Sequence, residues 1–131
     1  MKRVAKVTFG LVFSMLLVGT AWAGMKAAST VYINTSGMYA NGMLGASRNT
    51  ADSVQYIGCY SWAYATGATY ATCYARDASS VYASCTTTAA PLVQVVHGLN
   101  GDSHLWFSWD ASGNCSEIDV YNVSQTPPKN P

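Results

Sequence analysis

The stretch Gln55–Thr86, QYIGCYSWAYATGATYATCYARDASSVYASCT, decides the architecture. Its odd positions are small or sulfur-bearing: Cys59, Ala63, Ala71, Cys73, Ala75, Ala83 and Cys85, with Ile57 and Val81. Its even positions carry Tyr56, Tyr60, Trp62, Tyr64, Tyr70, Tyr74 and Tyr82. A period of two is the signature of a strand, whose successive side chains point to opposite faces. Gln55–Tyr64 and Ala68–Ala75 therefore read as two strands around the turn Ala65-Thr66-Gly67. Asp77-Ala78-Ser79-Ser80 turns the chain again into a third strand, Val81–Thr86, because an aspartate that opens a tight turn can accept its backbone N–H bonds.

A register that sets Cys59 opposite Cys73, and Cys73 opposite Cys85, preserves parity across all three strands. One face of the meander is then alanine and cysteine and the other carries seven aromatic rings. Two readings of the aromatic face follow. Either it is the core, covered by the N-terminal segment or a helix, or it faces water. The small residues opposite allow a helix to approach closely, which favours the second.

The same register restricts how four cysteines, an even count that suggests two disulfides, can pair. Cys59 and Cys85 stand two strand spacings apart, roughly 9.6 Å, beyond the reach of about 7 Å. Cys73 therefore bonds Cys59 or Cys85, and the remaining cysteine bonds Cys115. Of the two, Cys59–Cys73 with Cys85–Cys115 is preferred. With no Cys-x-x-Cys and no histidine beside a cysteine, a zinc site has no ligand pattern.

Outward from the meander, Thr30–Asn34 reads as a strand closed by Thr35-Ser36-Gly37, and residues 38–54 read as a loop with room for one helical turn. Leu92, Val95, Val96 and Leu99 form an apolar stripe on a short helix over 91–99, opened by Pro91, although the valines keep a strand in play there. Beyond it, Leu105, Phe107 and Trp109 alternate with His104, Trp106 and Ser108, and Ile118 and Val120 with Glu117, Asp119 and Tyr121. Matching the apolar sets pairs Trp106 with Asp119 and His104 with Tyr121 on one outer face. Asp110-Ala111-Ser112-Gly113 repeats the Asp77 turn almost letter for letter. It is not a calcium loop, since Cys115 and Tyr121 stand where that loop needs glycine and glutamate.

The first 23 residues read as a signal peptide: Lys2, Arg3 and Lys6, an apolar run over Val7–Gly19, then Ala21-Trp22-Ala23. That run is too short to span a bilayer comfortably. Removing it takes three of the seven basic residues and leaves four against six acids, a net charge of −2. So few and scattered cations exclude a nucleic-acid footprint, and an amphipathic membrane-binding helix is missing.

Gly101-Asp102-Ser103 resembles the nucleophile motif of the Gly-Asp-Ser-Leu esterases over three residues. That family carries the motif early in a much larger α/β domain and adds an Asp-x-x-His pair near its end. Here the motif comes late, His104 stands where leucine belongs, and no Asp-x-x-His follows. A triad also needs an imidazole brought in from a separate element. His97 reads as a solvated residue on the polar side of the helix.

The expectation is an all-β fold, mainly an antiparallel meander or sandwich, with one short helix and two disulfides. It forms a single domain over 24–126, followed by a flexible tail, 127–131. The chain is expected to be secreted or periplasmic and to bind by contact, without a cofactor, metal or catalytic residue. The leading ligand is carbohydrate and the next an extracellular protein surface. Candidate binding residues are His104, Trp106, Asp119, Tyr121, Tyr60 and Tyr74, because tyrosine and tryptophan combine an apolar ring with a hydrogen-bonding tip. The rivals are a secreted inhibitor docking on another protein and a small hydrolase using Glu117 and Asp119. Asn34, Asn114 and Asn122 each open an Asn-x-Ser acceptor sequence.

Overall fold

In the computed structural model, which describes residues 24–131, the chain runs β1 (Tyr32–Asn34), β2 (Tyr39–Met43), α1 (Leu44–Arg48), β3 (Tyr56–Ala63), β4 (Thr69–Arg76), β5 (Tyr82–Thr87), α2 (Ala90–Val96), β6 (His104–Trp109) and β7 (Cys115–Tyr121). The expected leader, residues 1–23, lies outside the described residues. β3-β4-β5 form one antiparallel sheet, and β1-β2-β6-β7 the other.

The meander adopts the expected register, with Cys59 opposite Cys73 and Cys73 opposite Cys85. Its inner face holds Ala71, Cys73 and Ala75, each fully buried. Such short side chains leave room for α2, which packs on β3, β4 and β7 and buries Val93 and Val96. The inner face of the four-stranded sheet adds Ala40, Leu105, Phe107 and Ile118 to the same core. Full burial of Leu105 and Phe107 contributes about 1.5–3 kcal/mol each.

The disulfides are Cys59–Cys73 and Cys85–Cys115. The first lies within the three-stranded sheet, whereas the second ties β5 to β7 and so joins the two sheets. Beside it the Thr86 N–H donates to the Gly113 carbonyl at 3.1 Å.

Residues 38–54 correct the sequence reading. They hold β2, which pairs with both β1 and β6, and α1. Asn41 and Gly42 have poor strand propensity and hide the alternation of Tyr39, Asn41 and Met43. Packing favours the glycine, because a Cβ at Gly42 would stand 3.2 Å from the Thr30 carbonyl oxygen and the Val31 Cα, closer than ordinary contact. α1, five residues long, is the helical turn that the reading left room for, and the strand β2 is the element it lacks. The stripe of α2 is also rotated: Val93 is buried, Leu92 and Leu99 are partly buried, and Val95 is exposed. The helix ends at Val96, where His97, Gly98 and Leu99 donate to carbonyls three residues back, a tightening usual in a last turn.

The final hairpin pairs His104 with Tyr121, Trp106 with Asp119 and Phe107 with Ile118, as the apolar matching requires. A bulge after Ser108 shifts the register so that Trp109 faces Cys115. Residues 127–131, expected as a flexible tail, lie against α1. Asn49 donates through Nδ2 to the Pro128 carbonyl at 2.9 Å and accepts from the Asn130 N–H at 2.8 Å. A Cβ at Gly45 would overlap the Pro127 carbonyl.

The two Asp-Ala-Ser turns are one device used twice. Asp77 Oδ1 accepts from the N–H groups of Ser79 and Val81 at 2.9 Å each. Asp110 Oδ1 accepts from those of Ser112 and Asn114 at 2.8 and 2.9 Å. In both turns the fourth residue is left-handed, with φ of 65° at Ser80 and 80° at Gly113.

Two predictions follow from these turns and staples. A left-handed non-glycine residue costs roughly 1 kcal/mol, so Ser80→Gly is expected to raise unfolding stability by about 0.5–1 kcal/mol and Gly113→Ser to lower it by a similar amount, both read by urea denaturation. The Cys85→Ser/Cys115→Ser pair is expected to lose roughly 3–4 kcal/mol and the Cys59→Ser/Cys73→Ser pair less, since the closed loop is longer in the first case.

Candidate functional site

The six candidate residues divide between the two sheets. Tyr60 and Tyr74 stand on the outer face of β3 and β4, within a ladder of touching rings. Tyr74 lies 5.7 Å from Tyr56 and 6.0 Å from Tyr60, measured between ring centroids. The ladder continues through Trp62 to Tyr70, which stack at 5.1 Å and 9°, and is closed edge-on by Tyr64 at 88°. Tyr60 and Tyr64 keep more than half of their surface exposed. The aromatic face is therefore open to water, and the small-residue face is the core. Because the rings of Tyr60, Trp62 and Tyr70 stack mainly on one another, the ladder offers solvent ring edges and phenol hydroxyls more than free ring faces.

His104, Trp106, Asp119 and Tyr121 come together on the outer face of β6 and β7. They line a cleft of about 430 Å³ with Met43, Val123, Gln125 and Thr126. The hairpin register supplies this juxtaposition, for Trp106 faces Asp119 and His104 faces Tyr121 in adjacent rows. Trp106 also stacks on Tyr39 at 5.9 Å and 22°, and Tyr39 touches Tyr32. A row of aromatic rings thus approaches the cleft from β1 and β2. His104 and Tyr121 pack at 5.6 Å.

The second wall could not be read from the sequence. Val123, Gln125 and Thr126 follow β7 without any strand pattern, and the segment is set by one contact distant in sequence and by a local turn. The Gln125 carbonyl accepts from the Ala27 N–H at 2.9 Å, and Thr126 Oγ1 donates to the Val123 carbonyl at 2.7 Å. Met43 belongs to the overlooked β2, and the large–small–large run from Tyr39 to Met43 is the signal that points to it.

Partial burial holds the His104 imidazole below the usual histidine value of 6.5, so the ring is neutral at pH 7. It then offers one N–H donor and one nitrogen acceptor. Glu117, proposed as partner to Asp119 in a hydrolase, stands one row away opposite Ser108 and is not among the residues lining the cleft.

Ser103, the serine of Gly-Asp-Ser, is fully buried and structural. Its hydroxyl accepts from the Asn100 N–H at 2.9 Å and donates to Asn122 Oδ1. Asn122 in turn donates to the Gly98 carbonyl at 2.9 Å. This network fastens the α2–β6 connection to the end of β7.

No family model, curated protein or solved structure matches this chain significantly.

Acid should weaken the fold in two windows. His104 titrates lower in the folded chain than in the unfolded one, so its contribution is present above about pH 6.5 and is lost as the pH falls toward the folded value. Asp52, which accepts from the Gln55 side chain and from the Gln55 and Val54 N–H groups, is lowered to about 2. The contribution of Asp52 is therefore lost between about pH 4 and pH 2. Asp110, lowered by the Asn114 side chain and its own turn, acts in the same direction. Unfolding midpoints from pH 8 to 2 should show both losses. His104→Gln should remove the upper one, and a wild-type profile flat from pH 7 to 5 would contradict the assignment.

Proposed function

We propose that this chain is a secreted, disulfide-stapled binding module whose ligand is carbohydrate, held in the cleft over β6 and β7. The observation that carries the reading is the composition of that cleft: an indole, an imidazole, a carboxylate, a carboxamide and two hydroxyl-bearing side chains around about 430 Å³. Ligand pockets of this order admit a small ring-shaped molecule. A sugar ring combines an apolar C–H face with a rim of hydroxyls. Trp106 suits the face, while Asp119, Gln125 and neutral His104 suit the rim as acceptors and donors.

Export is supported by the two disulfides, which persist in oxidising compartments. Among the described residues no helix is long and apolar enough to cross a membrane. The second reading, docking on another protein as an inhibitor does, is favoured by the ladder. Ring edges tipped with hydroxyls are common at protein interfaces, and the patch is larger than scattered exposed residues require.

Glycan-array and calorimetric titration of the purified oxidised chain test the proposal. Trp106→Ala is expected to weaken binding at least about tenfold, equivalent to 1.4 kcal/mol, and Asp119→Asn to weaken it by several-fold, with Tyr60→Ala unchanged. Loss of binding in Tyr60→Ala or Tyr74→Ala, with Trp106→Ala unaffected, would move the site to the ladder. Turnover of the ligand that disappears in Glu117→Gln would replace binding by catalysis.

A further inference from the structure

The Cys59–Ala63 half of the outer edge of β3 lacks the usual guards, while α1 packs against the strand and Ile57 and Gly58 before it are buried. Sheets keep their edges from pairing with other chains by lysine, proline, bulges, shortness or a covering element. β1 is only three residues long, and the Val31 N–H beside it is taken by Gln55 Oε1 at 3.3 Å. β5 is met at Thr86 by the Gly113 carbonyl, and β7 carries Glu117 and Asp119. β3, in contrast, is eight residues long, has no charge and no proline, and pairs regularly with β4 along its whole length.

The disulfide shows which of its backbone groups face outward. Cys59 and Cys73 have Cα atoms 4.0 Å apart, the close spacing of a non-hydrogen-bonded antiparallel pair. The N–H and C=O of Cys59, and of Ser61 and Ala63 at the same parity, therefore point away from β4. Among the described residues no backbone group pairs with them. Ser61 and Ala63 are exposed and Cys59 is half-buried.

We infer that this edge pairs with the same edge of a second copy, antiparallel, with the two-fold axis at Ser61. Cys59 then bonds Ala63 of the other copy, Ser61 bonds its own equivalent, and Ala63 bonds Cys59. Each such pair exchanges two backbone hydrogen bonds. The choice of a second copy rests on self-complementarity. A two-fold axis sets each residue near its own equivalent, so any charge on the segment would repel its copy, and Cys59–Ala63 has none. In the same register Tyr60 of each copy faces Trp62 of the other, which continues the Tyr60–Trp62–Tyr70 stack across the junction. The product is a six-stranded sheet with one continuous aromatic face and an isologous interface. This pairing is independent of what occupies the cleft.

Sedimentation of the purified oxidised chain over a range of concentrations tests it. An interface this small implies a dissociation constant of about 10–100 μM. Ser61→Lys, which sets two ammonium groups at the axis, is expected to leave only monomer with the unfolding midpoint retained, and Ala63→Lys to weaken the dimer in the same direction. Tyr82→Lys, on the ladder face of β5 and away from the edge, is expected to leave the dimer intact. Three results would overturn the inference: a wild-type chain monomeric at roughly 1 mM, a dimer that survives both Ser61→Lys and Ala63→Lys, or one abolished by Tyr82→Lys alone. The last would mean that the aromatic faces pack on each other. Capture of an extended foreign peptide at β3 by a chain that stays monomeric would likewise replace the second copy by a different occupant.

Discussion

Alanine and cysteine on one face of a three-stranded sheet are the constraint from which most of this molecule follows. A face built of Ala71, Cys73, Ala75 and Cys85 cannot fill a core by itself. It needs larger side chains from elsewhere, which α2 supplies through Val93 and Val96 and the other sheet through Leu105, Phe107 and Ile118. Strand alternation then sends every large ring of the meander to the other side. The open aromatic ladder is thus the counterpart of a thin core and not an independent addition to the surface.

Much of this was legible because it depends on parity, and parity is a local property of the chain. The facing of Cys59 and Cys73, the pairing of Trp106 with Asp119 and the shared chemistry of the Asp77 and Asp110 turns needed only the period of a strand and the reach of a carboxylate. Which face of the meander is covered did not follow from parity, since both faces had a plausible cover. The bulk of the helix valines against the smallness of the alanines decided it.

What stayed hidden depends on contacts between distant segments. β2 escaped notice because Gly42 is chosen for the approach of the Thr30–Val31 backbone and not for strand propensity. The second wall of the cleft, from Val123 to Thr126, is held to the segment before β1 through the Ala27 N–H and the Gln125 carbonyl, and no periodicity marks it. Val95 and Val93 exchanged places on α2 because the helix presents a face centred one residue away from the stripe that spacing alone suggests. Tyr39 is not legible as an extension of the cleft because its neighbour in space, Trp106, lies far along the chain, and Tyr32 joins the row only through Tyr39.

The order of the strands has a kinetic meaning as well. The β3–β5 meander is made of neighbours in sequence, whereas the four-stranded sheet joins β2 to β6 across the entire meander and α2. Closing that long loop costs chain entropy before any of its contacts form. The β2–β6 pairing that completes the cleft sheet therefore carries a larger loop-closure cost than any pairing within the ladder sheet.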